Sequence, residues 1–77
     1  MTDVTGIVQK IDKLADEWEE RCGFGGLVLN HSGAIREVAH CINEGRWVDA
    51  HGWAGGLHYT ITLPEGTWEL IREGMER

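Results

Sequence analysis

Five apolar residues, Val4, Ile7, Ile11, Leu14 and Trp18, recur at intervals of three and four near the start of the chain. A helix turns about 100° per residue, so this spacing gathers them on one face and commits the segment to an amphipathic helix. The helix is expected from about Thr2 or Asp3 to Arg21, with Thr2, Asp3 or Thr5 available as N-cap and Gly23 as terminator. Its polar surface is divided by charge. Asp12, Asp16, Glu19 and Glu20 fall on one flank, and Lys10, Lys13 and Arg21 on the other. Nowhere else in the sequence are like charges arranged rather than scattered.

That helix needs something to cover its stripe. With 77 residues the chain has room for one core, so residues 1–77 are expected to form one domain. A core of this size is marginal without staples, a metal or a partner subunit. Four tryptophans and 42% apolar residues nevertheless argue for a folded chain.

Beyond the first helix, glycines and short apolar runs suggest strands. Gly23, Gly25 and Gly26 precede Leu27-Val28-Leu29, which reads as a strand, and Asn30-His31-Ser32-Gly33 reads as a turn. Ala34–Ile42 admits two readings. It can return as the second strand of a hairpin, which the flanking turn signals favour. It can also be a helix, since Ile35, Val38, Ala39 and Ile42 have helical spacing and Gly45 could end it. Arg46-Trp47-Val48 is taken as a strand and His51–Gly56 as a glycine-rich loop. Leu57–Leu63 alternates apolar and polar residues as a half-buried strand does. Pro64 closes it and opens a C-terminal helix with Trp68, Ile71 and Met75 as its stripe. The expected fold is therefore α+β: an N-terminal helix, an antiparallel sheet of three to four strands and a C-terminal helix, in a two-layer sandwich.

Charge narrows the function. Thirteen acids against seven bases give a net charge of −6, which disfavours direct binding to nucleic acid or to an anionic membrane. There is no export signal at the N-terminus and no apolar run of membrane-spanning length, so a cytoplasmic protein with reduced thiols is expected. No nucleophile elbow accompanies Ser32, and the glycines near Gly25 precede a strand rather than opening a helix as a phosphate loop would. Cys41 with His51 or His58 as base is the one conceivable catalytic pairing, and nothing beyond residue type supports it. The chain is read as non-enzymatic, with no cofactor.

The expected binding residues are Asp12, Asp16, Glu19 and Glu20, which would steer the protein to a basic surface on another protein, and Trp47 and Trp53, which would anchor it. Two alternatives stay open. Cys22, Cys41, His51 and His58 could hold zinc if the fold gathers them, although their spacing matches no compact zinc pattern. A homodimer could form through the first helix or a sheet edge.

Two resemblances follow. The helix–three strands–helix order resembles a double-stranded-RNA-binding domain. That family grips phosphates with a basic second helix, whereas Glu65–Arg77 is acidic, so the binding activity does not carry over. In size, acidity and lack of catalytic motif the chain resembles the small acidic inhibitors of phages and mobile elements, anti-CRISPR proteins among them. That likeness implies occlusion of a partner's nucleic-acid-binding surface and assigns no residues.

Overall fold

The computed structural model describes residues 4–22 and 31–76. These form four helices: α1 (Val4–Cys22), α2 (His31–Glu44), α3 (Trp47–Leu57) and α4 (Thr67–Glu76). No strand occurs among the described residues, which corrects the expected α+β sandwich to an all-helical fold. The double-stranded-RNA-binding topology falls with it. The proposed strand Leu27–Leu29 lies outside the described residues.

Over Val4–Cys22, α1 has the expected stripe; of the cap candidates, Thr5 lies inside the helix and Thr2, Asp3 and Gly23 lie outside the described residues. Ile7, Ile11 and Ala15 are buried, and Val4, Leu14 and Trp18 pack at the edge of the core. At about 1.5 Å per residue, its 19 residues run roughly 28 Å, the longest of the four helices. Each helix packs mainly on its neighbour in sequence: α1 on α2, α2 on α3 and α3 on α4.

Ala34–Ile42 belongs to a helix, and the hairpin is not formed. α2 buries Ile35, Val38, Ala39, Cys41 and Ile42, a broad apolar face that lets it touch both α1 and α3. Its end is set by Gly45, whose φ of +76° suits glycine and strains other residues. The Gly45 amide donates to the Ile42 carbonyl (3.1 Å) and the Arg46 amide to the Cys41 carbonyl (2.8 Å). This paired arrangement satisfies two carbonyls at the helix end and turns the chain sharply. Asn43-Glu44-Gly45, which in sequence has the look of a hairpin turn, is thus a helix stop.

α3 overturns two expectations at once, because the strand Arg46–Val48 and the glycine loop His51–Gly56 together form one helix. Ala50, Ala54 and Leu57 provide its buried seam at i, i+4 and i+7. Three interior glycines weaken a helix by up to about 1 kcal/mol each, so packing rather than propensity holds α3. Asp49 in its first turn is placed well for the helix dipole.

The expected strand Leu57–Leu63 is also replaced. The amides of Thr60 and Ile61 both donate to the Leu57 carbonyl at 2.9 Å, so the chain leaves α3 through a tight turn. Tyr59, assigned inward by the alternation, is 84% exposed. Only Ile61 and Leu63 keep the two-residue rhythm, buried beneath a short non-helical stretch. That stretch lies along the basic flank of α1, where Thr62, Pro64 and Glu65 share a shallow groove with Lys10 and Lys13.

A turn over Pro64–Thr67 then starts α4. Gly66 has φ +92° and sits where an added Cβ would come within 3.2 Å of Ile7 Cδ1, so this turn presses on α1. The Thr67 hydroxyl donates to the Pro64 carbonyl at 2.7 Å, which satisfies a fully buried polar group. The stripe of α4 is Thr67, Leu70, Ile71 and Gly74 rather than Trp68, Ile71 and Met75. Trp68 is half-buried and Met75 exposed.

Candidate functional site

The acidic flank of α1 forms a ridge, and α2 contributes to it. Asp12, Asp16, Glu19 and Glu20 span an arc of about 100° beside the buried face. Arg36 of α2 reaches across to them. Its Nη2 lies 2.7 Å from Asp16 Oδ1 and 3.0 Å from Glu19 Oε1, and its Nε is 3.3 Å from Glu19 Oε1. Hydrogen bonds to Asp16 and then to Glu19 push the Arg36 guanidinium above its ordinary pKa. Two of the four expected steering carboxylates are therefore engaged in clipping α1 to α2.

The other two are differently placed. Asp12 lines a cleft between α1 and α2 of about 470 Å³ together with Arg36, Glu37 and His40, and Glu20 is exposed. Among the described residues, Asp12, Glu20 and Glu37 take part in no ion pair. Glu37 is a member of the ridge that the sequence did not reveal, because it joins only when α2 is a helix packed on α1. His40 and Glu44 pair at 3.2 Å further along the same helix.

The two expected anchors separate. Trp47 packs against α4 so closely that a Cβ at Gly74 would come within 2.0 Å of its ring. It is a structural residue of the α3–α4 contact. Trp53 is 44% exposed and lines a groove of about 630 Å³. Val48, Gly52 and Gly56 run along this groove at helical i, i+4, i+8 spacing, with Asp49 beside Trp53 and with Ala34 and Leu57 as apolar walls. Arg36 and Ala34 point to nearly opposite sides of α2, so the ridge and the groove are separate surfaces.

Of the four zinc candidates, His51 and His58 share one neighbour, Trp68. Both meet the Trp68 ring edge-on, with centroids 5.8 and 6.0 Å away. Cys41 is buried in the core, and burial pushes its thiol above the ordinary range. The Cys22 side chain lies outside the described residues. Among the described residues no three His, Cys, Asp or Glu side chains are grouped as metal ligands, and no helix is long and apolar enough to cross a membrane. Compared with known proteins, the chain matches no protein family, no curated protein and no solved structure, so its surfaces are read from their own chemistry.

Proposed function

We propose that this protein acts without catalysis, by binding another protein through the ridge built on α1 and α2. Five carboxylates, those of Asp12, Asp16, Glu19, Glu20 and Glu37, stand there against the single guanidinium of Arg36. That imbalance on two rigid, mutually braced helices is the observation that carries the reading. Such a surface projects a directional negative field and favours a partner lined with Lys and Arg. A surface of that kind on the partner is one suited to nucleic acid, so occupancy by the ridge would block it. This is the mode of action that the likeness to small acidic phage inhibitors implies. Arg36 has a second part in it: by fixing Asp16 and Glu19 it limits the side-chain ordering left to be done on binding.

The test uses Asp12→Lys combined with Glu20→Lys, because neither residue holds Arg36 and the fold should survive. A basic partner captured from the native host is bound to immobilised wild-type and variant protein at low and moderate salt. Association should slow at least tenfold in the variant and lose most of its salt dependence. The wild type should also release nucleic acid from the partner in a mobility-shift assay. Equal association rates with equal salt slopes would reject the proposal.

A further inference from the structure

The groove on α3 carries a second binding site, separate from the ridge. We propose that it takes an arginine side chain of a protein partner, with the guanidinium held between the Trp53 indole and the Asp49 carboxylate and the stem lying on Gly52 and Gly56. Asp49 and Trp53 are four residues apart on α3, which makes them neighbours on the helix surface, roughly 5–6 Å apart at Cβ. Long helical side chains lean toward the N-terminus, so the indole of Trp53 tilts over the turn that bears Asp49. Both line the same groove. A cation paired with Asp49 there comes within the roughly 6 Å over which an aromatic face attracts it.

Asp49 is the one carboxylate in the groove's lining, and its state is suited to receiving a donor. Arg46 Nη1 lies 3.6 Å from Asp49 Oδ2, too far for a hydrogen bond, while Arg46 Nε is engaged at 3.0 Å by Glu44. Among the described residues no hydrogen bond reaches the Asp49 carboxylate. The rest of the groove is mostly apolar or small, with His31 and Thr60 as its other polar side chains. At Gly52 and Gly56 an added Cβ would meet nothing within 4 Å, so these positions leave open space above the helix backbone. That space admits a flat group and its methylene stem. A guanidinium fits better than an ammonium, because it is planar, stacks on indole and forks onto a carboxylate. An apolar occupant would give Asp49 no hydrogen-bond donor, leaving it only the longer ion pair with Arg46. A negatively charged one would meet both Asp49 and a chain of net charge −6.

The probe is an acetylated, amidated Leu-Arg-Leu peptide, compared with the same peptide carrying citrulline, which has the shape of arginine without its charge. Binding is read from the Trp53 indole N–H resonance of the whole protein. The arginine peptide should shift it saturably and bind at least tenfold tighter than the citrulline peptide. Asp49→Asn should abolish that preference. Gly52→Leu should fill the groove and eliminate binding while leaving helix content, measured by circular dichroism, equal or higher. The combined Asp12→Lys and Glu20→Lys variant should bind the peptide within twofold of wild type, which distinguishes this site from the ridge. The proposal is overturned if the Trp53 resonance does not respond at millimolar peptide, or if both peptides bind alike. Survival of the preference in Asp49→Asn, or of binding in Gly52→Leu, would overturn it equally.

Discussion

Glycines meet α3 from two sides, and they do opposite things. On the α4 side, Gly74 is buried and has no room for even a methyl group, because the Trp47 ring occupies that space. On the outer side, Gly52, Gly55 and Gly56 face nothing within 4 Å. The first glycine permits two helices to touch. The others weaken the helix that bears them and bring no close packing within the chain. A residue that weakens its own helix without improving the core is one whose reason lies outside the core, which is why the groove draws a binding interpretation and the Trp47 contact does not.

The sharpest way to break this contrast is to add one methyl group on each side. Gly74→Ala forces Cβ into the Trp47 ring and should destabilise the protein by about 1–3 kcal/mol, the usual range for overpacking, read as a lowered denaturant midpoint. Replacing Trp47 with a smaller apolar residue in the same chain should recover part of that loss, since the two positions are coupled. Gly52→Ala should act in the other direction, raising stability by about 0.5–1 kcal/mol through helix propensity alone. If both substitutions moved stability the same way, the distinction between the two sides would collapse.

The smallest test of the packed side is made with protons. Burial raises the Cys41 pKa, so the folded state keeps its proton where the unfolded chain has lost it. Stability from this group is complete below the unfolded thiol pKa of about 8–9 and falls as pH rises through the folded value. The slope is at most about 1.4 kcal/mol per pH unit. Denaturant titrations between pH 7 and 10 should show the decline in the wild type and a flatter profile in Cys41→Ala.

Legibility in the sequence followed how local the determining physics was. α1 was readable because its stripe is long and regular. α2 was half-readable: Ile35, Val38, Ala39 and Ile42 carried the helical period, but Gly33 and Gly45 at its margins imitate hairpin turns. α3 was hidden. Its helical signal rests on Ala50, Ala54 and Leu57, two of which are small, while Gly52, Gly55 and Gly56 announce a loop. Only the bodies of α2 and α4 on either side make that segment helical, and neither is visible in a local window. The run Leu57–Leu63 misled for a related reason, since its alternation has no neighbouring strand to pair with and the Leu57 carbonyl captures two amides instead. The acidic flank was located correctly from periodicity. Its engagement with Arg36 was not, because it depends on the α1–α2 packing, twenty residues away from Asp16 in sequence.

The order of packing also has a kinetic consequence. Because each helix rests mainly on the one before it, most stabilising contacts close short stretches of chain, and folding of such topologies falls in the microsecond-to-millisecond range. The far end of the series, α4, leans on α3 and is tied back to α1 by the touch of the Gly66 turn on Ile7. Its Trp68, with the edges of His51 and His58 against it, therefore reports on the helix least packed against the others. Local opening should begin there, and amide exchange in α4 should outrun exchange in α2, the helix enclosed on two sides.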